Sequence, residues 1–103
     1  MKRIIVSRHV ATVAYIRGSL GSDWAEAPIL AQANAEDVRG AVVAGNLPLH
    51  LAALAVEVVA VEFSGTPPRG AEYGFAEMDA CGVHLQRYQV MDLGGVLEKE
   101  VSR

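Results

Sequence analysis

One cysteine, Cys81, is all that the 103 residues contain, which excludes an intramolecular disulfide and any thiolate-rich zinc site. Aromatic residues are scarce at 6%, so alanine, valine and leucine carry most of the apolar bulk. No apolar run is long enough to span a bilayer, and no membrane partner is expected. The opening MKRIIVSRH holds a basic pair but only the short apolar run Ile4–Val6, too little for a signal peptide, so a cytoplasmic protein is expected. An excess of basic charge is missing as well. The formal net charge is −3, which argues against duplex nucleic acid as a partner. Carboxylates do not gather either: Asp23, Asp37 and Asp79 are scattered, and Glu57 and Glu62 share one segment. The expectation is therefore no metal site, no cofactor, and chemistry that runs without a metal ion.

What is present is an apolar fraction of 51%, enough for a globular chain. The length allows one core, read as a single α/β domain over residues 1–92 with a polar tail or short helix over 93–103. So small a chain buries a modest share of its surface, and a homo-oligomer is the natural home for the apolar surplus.

RIIVSR (Arg3–Arg8) reads as a short buried strand, and HVATVAYIRGSL (His9–Leu20) as a helix with Val10, Val13, Ala14 and Ile16 at loosely helical spacing. Gly21–Asp37 is the least legible region; APILAQ within it suggests a short strand, at an edge because of Pro28. RGAVVAG (Arg39–Gly45) is a buried strand ending at Gly-Asn. LPLHLAALA (Leu47–Ala55) is a helix with Pro48 in its first turn. VEVVAVEF (Val56–Phe63) is a further strand and Ser64–Glu72 a Pro/Gly loop. GFAEMDACG (Gly74–Gly82) is a short helix stopped by glycine, and HLQRYQV (His84–Val90) alternates as a last strand. This alternation with short links predicts a small α/β fold around a mostly parallel sheet.

Ligands of such sheets bind beyond the carboxyl ends of the strands. The first strand ends in Ser7-Arg8-His9 and the third in Gly45-Asn46, followed by Pro48 and His50. If the two strands are neighbours, these residues converge at one rim suited to a phosphodiester. Arg8 would grip phosphate oxygens with its planar fork. N–H groups of the helix starting near Leu47 would meet another oxygen. Ser7 and Asn46 would orient a hydroxyl, and an imidazole would relay a proton. Plainer readings stand beside these: His50 as a histidine packed at a helix edge, Arg8 as a surface residue closing a strand, Asn46 as a turn or cap residue.

Two resemblances follow from these motifs. VSRH is similar to the strand and Arg-His-Gly that open histidine phosphatases, but Val10 stands where the glycine would be and the chain is about half such a domain. The second covers nearly the whole chain. Ser7-Arg8-His9, the segment GNLPLHLAA from Gly45 to Ala53, Arg69-Gly70, and Met78 through Gly82 resemble, in order and spacing, a small CRISPR-associated family, Csx-sixteen. VATVAY after the Arg-His departs from that family's usual small residues and tryptophan.

That resemblance implies a Rossmann-like domain akin in style to CARF domains, a homodimer, and a place beside type III CRISPR systems. It also implies a role like that of ring nucleases, which degrade cyclic oligoadenylate second messengers, notably cyclic tetra-adenylate. The resulting expectation is a metal-independent ring nuclease. Arg8 would meet transition-state charge, His9 or His50 would transfer protons, and Ser7, Asn46 and Leu47 would position the ligand. Arg69 would sit on a loop over the ring. The alternatives are a protein that binds or sequesters the same nucleotide uncut, and a structural interaction domain without a nucleotide ligand.

Overall fold

The sheet owes its two-sided burial to short β-branched strands that carry apolar side chains on both faces. The computed structural model describes residues 1–68 and 73–97. Its elements are β1 (Lys2–Val6), α1 (Val10–Leu20), a 3₁₀ turn (Ser22–Trp24), β2 (Ile29–Leu30), α2 (Ala35–Val38), β3 (Ala41–Ala44), α3 (Leu49–Ala52), β4 (Glu57–Phe63), α4 (Phe75–Ala80) and β5 (Val83–Tyr88). They build one five-stranded sheet in the order β2-β1-β3-β4-β5. The first four strands run parallel; β5 pairs antiparallel with β4. This is the α/β domain with a mostly parallel sheet expected from the alternation of elements, in the small Rossmann-like form that the family resemblance implies.

Alternation along the strands divides the core in two. Ile5, Ala44, Val59 and Val61 meet Ile16, Trp24, Ala27 and Met78 on one face. Ile4, Val43 and Ala41 meet Val38 on the other, with Leu47, Leu51 and Leu54 packed around them. At about 25 cal/mol per Å² of apolar surface removed from water, these layers are what holds so short a chain together.

Several elements differ from the sequence reading. On α1 the buried positions are Thr12 and Ile16, one turn apart, while Val10 and Ala14 face outward. The unexpected α2 is held by a reciprocal cap. The Asn34 side chain accepts from the Asp37 N–H at 3.0 Å, and the Asp37 carboxylate accepts from the Asn34 N–H at 2.8 Å. The nine-residue helix expected over Leu47–Ala55 is a single turn, because the chain must return to the sheet. Leu54 O already accepts from Gly40 N–H, and Val56 N–H donates to Ala41 O. Arg17 ties the 3₁₀ region to α1 by donating to Trp24 O and Ala27 O at 3.3 and 2.8 Å. Beyond β5, residues 89–97 form neither helix nor strand, and the rest of the tail or short helix expected over 93–103 lies outside the described residues. Among the described residues no helix is long and apolar enough to cross a membrane.

A diagonal pair clamps the antiparallel ribbon. Arg87 donates through Nε and Nη2 to the two Glu57 carboxylate oxygens, each at 2.8 Å. The Arg87 hydrogen bonds hold the Glu57 carboxyl below its ordinary 4.5, against a smaller opposing effect of burial. A depressed carboxyl stabilises the fold above its unfolded pKa and ceases to do so as pH falls through its folded value. Glu57→Gln is therefore expected to lower the denaturation midpoint modestly at about pH 7, with the gap to the native protein closing as pH falls below the ordinary carboxylate range. Urea titrations of both proteins over that fall in pH check this; a gap that widens on acidification would contradict it.

Candidate functional site

The strand order places β1 between β2 and β3, so the connection that leaves β1 runs to one side of the sheet and the connection that leaves β3 runs to the other. The crevice beyond the carboxyl ends of β1 and β3 is the topological switch point where open α/β sheets bind ligands. Gly45 shapes it. At φ +125° its backbone passes so near β1 that a Cβ atom would stand 2.1 Å from the Val6 carbonyl oxygen. The two strand ends thus meet closely before the chain diverges into α1 and the Asn46 turn.

A cleft of about 270 Å³ opens there, lined by Ser7, Arg8, His9, Thr12, Asn46 and Tyr73 over apolar walls from Val61 and Phe63. Ser7 still belongs to the sheet edge through its N–H, which donates to Leu30 O at 3.0 Å. Its Oγ accepts from the His9 N–H at 3.1 Å, turning the chain into α1. His9 is the N-cap residue of this eleven-residue helix, its side chain caps nothing, and the first turn carries no acidic residue. The unpaired N–H groups of that turn, with the positive end of the helix dipole, favour an anion. Arg8 is exposed at the cleft and makes no ion pair among the described residues.

Asn46 does more than turn the chain. Its Oδ1 accepts from Val61 N–H at 2.9 Å and its Nδ2 donates to Val61 O at 3.1 Å. The ladder between β3 and β4 stops near Ala44–Val59, and the Asn46 amide continues it with a side chain. One Nδ2–H remains for a ligand.

Of the residues expected at this rim, Ser7, Arg8, His9 and Asn46 come together. His50 does not. It lies on α3 in a separate groove with Leu49, Ala53, Val90, Met91 and Asp92. Leu47 packs into the core of the α2–α3 face, and the single turn of α3, preceded by Pro48, offers the cleft no helix terminus. The helix end at the cleft is that of α1. Arg69 lies outside the described residues. Sequence reasoning missed Thr12, Tyr73 and Phe63. The signal for Thr12 was its position three residues after His9, which puts both on one face of the helix start.

The donors can hold a phosphate between a guanidinium, a hydroxyl and helix N–H groups, with one imidazole alongside. Among the described residues no three His, Cys, Asp or Glu side chains gather as metal ligands would.

Curated proteins and solved structures contain no match to the chain. A family model described as "Putative CRISPR-associated protein (Cas_VVA1548)" matches residues 4–91, which reach from within β1 through β5 and include every residue lining the cleft. The chain belongs to this CRISPR-associated family.

Proposed function

We propose that this protein is a ring nuclease of the Csx-sixteen kind, opening cyclic tetra-adenylate without a metal ion and so ending a type III CRISPR signal. The observation that carries this reading is the meeting of Arg8, His9 and the α1 N-terminus at one cleft, in a chain of a CRISPR-associated family. In the proposed reaction an adenosine 2′-oxygen attacks the adjacent phosphorus as its proton leaves. The P–O2′ bond forms, the P–O5′ bond breaks, and the departing 5′-oxygen takes up a proton. The products are a 2′,3′-cyclic phosphate and a 5′-hydroxyl.

The His9 imidazole serves proton transfer. Arg8 and the α1 N–H groups carry the charge that builds on the phosphorane, and Ser7 and Asn46 keep the attacking hydroxyl in line. At about 270 Å³ the cleft sits just below the usual range for small-ligand sites and admits part of such a ring. A two-fold homodimer would offer a cyclic ligand two copies. Exposed Met91, Leu93, Val96 and Leu97 after β5 add apolar surface that a second copy would cover.

A second reading, sequestration without cleavage, is favoured by the single imidazole at the cleft, since binding needs only the anion donors. Labelled cyclic tetra-adenylate in molar excess, incubated with excess EDTA, separates the two. Linear fragments accumulating beyond the protein concentration are expected; stoichiometric protection of intact ring would mean sequestration. Activity lost in EDTA and restored by magnesium or manganese would move the chemistry to a metal ion. A ring that gave no thermal stabilisation at about 100 times a micromolar dissociation constant, where ~2.7 kcal/mol is expected, would remove both readings.

A further inference from the structure

Tyr73 is one of the cleft residues that neither the sequence motifs nor the proposed chemistry accounts for. It precedes α4, far in sequence from α1, yet its ring centroid lies 4.7 Å from that of His9, with the planes 34° apart. Its hydroxyl stands 3.5 Å from Thr12 Oγ1. Thr12 is 7% exposed, the one buried polar side chain in the described core, and the phenol is its hydrogen-bonding partner. His9 and Thr12 are three residues apart at the start of α1, so one tyrosine lies along both.

The His9 imidazole makes no hydrogen bond among the described residues; only its backbone is engaged, the N–H donating to Ser7 Oγ and the C=O accepting from Val13 N–H. A proton-transferring histidine is commonly oriented by a carboxylate or carbonyl on its second nitrogen. Here the ring's orientation comes from an aromatic face, and both nitrogens stay open to a ligand.

We propose that Tyr73 is a positioning residue for His9: its ring holds the imidazole at the mouth of the cleft while its hydroxyl, anchored on Thr12, fixes the ring. In catalysis this role rests on the ring-nuclease reading, whereas the contact itself is a property of the unliganded protein. A side chain displaced by about 1 Å costs a reaction up to about 100-fold, which sets the scale.

The test uses the full chain without ligand and then with cyclic tetra-adenylate. In the native protein, NMR cross-peaks are expected between the His9 and Tyr73 ring protons, with His9 resonances displaced by the tyrosine ring current. Tyr73→Leu should abolish that displacement and, with its amide spectrum still dispersed, lower kcat by roughly 10- to 100-fold with little change in KM. Tyr73→Phe, which keeps the face and loses the anchor on Thr12, should restore the displacement only in part and give a rate between those of Tyr73→Leu and the native protein. Absent cross-peaks, or His9 resonances unmoved in Tyr73→Leu, would overturn the proposal whether or not the ring is cleaved. A Tyr73→Leu protein with native kcat would overturn the catalytic role alone.

Discussion

Gly45→Ala is expected to cost most or all of the fold's stability. The added methyl would meet the Val6 carbonyl oxygen at 2.1 Å and its carbon at 3.0 Å, and both are backbone atoms of β1, an inner strand, that cannot rotate aside. The backbone at φ +125° adds strain for any residue with a Cβ, on the order of 1–3 kcal/mol. Relieving the clash means prising β1 from β3, at a further ~1–3 kcal/mol or more. Against a total of roughly 5–15 kcal/mol for a domain, and less surface buried in a small one, that sum unfolds a large fraction of molecules. For a chain of this size each kcal/mol moves Tm by about 4–8 °C, so a loss above ~8 °C is expected. Gly40→Ala is the control: φ is +73° but nothing lies within 4 Å of the added atom, and ~1 kcal/mol of backbone strain is the whole cost. Thermal melts of the two variants beside the native protein decide it. Equal Tm losses would mean that β1 and β3 do not approach as described.

That close approach explains how much of the site could be read from residues alone. The strands Arg3–Arg8 and Arg39–Gly45 announce themselves as β-branched runs, and their parallel pairing follows from the alternation with helices. Once they are neighbours, Ser7, Arg8, His9 and Asn46 must share a rim, since each directly follows a strand end. The legible part of the cleft is the part that depends on strand ends.

What was not legible depends on contacts across the chain. LPLHLAALA carries helix-forming residues throughout, and propensity alone extends the helix and swings His50 towards the anion. The return to β4 overrides propensity, because Gly40 N–H and Ala41 O find their partners at Leu54 and Val56. Asn46 reads as a turn residue; its role as a substitute ladder partner for Val61 needs the register of β3 on β4. Tyr73 follows a Pro/Gly loop without periodicity, so its place against His9 arises only when α1 and the β4–α4 connection lie on the same face. The Asn34–Asp37 cap was different. An Asn-x-x-Asp pattern before an apolar residue is a variant of a known helix start, and it marks α2 in the sequence itself.

Arg8→Ala is expected to have the largest effect on function, and it separates from His9→Ala by what each removes. The Arg8 guanidinium is a permanent charge at an exposed cleft wall, so truncation leaves the fold close to native. A hydrogen bond to a charged group contributes about 1.5–3 kcal/mol, so cyclic tetra-adenylate should bind roughly 10- to 100-fold more weakly. Charge on the phosphorane exceeds that of the ground state, and a preorganised donor lost there typically costs a further ~10²–10³ in rate. Arg8→Lys keeps the charge but not the fork and should fall between the two. His9→Ala should leave binding within a few-fold while lowering turnover by ~10²–10⁴, the usual share of general acid–base catalysis. His50→Ala, in its own groove beside Val90 and Met91, should leave both near native. Single-turnover rates and calorimetric affinities on the four variants read these apart. Loss of turnover in His50→Ala with native rates in His9→Ala would move the chemistry from the β1–β3 crevice to the α3 groove. An Arg8→Ala protein that bound and cut the ring normally would leave the cleft without its principal charge.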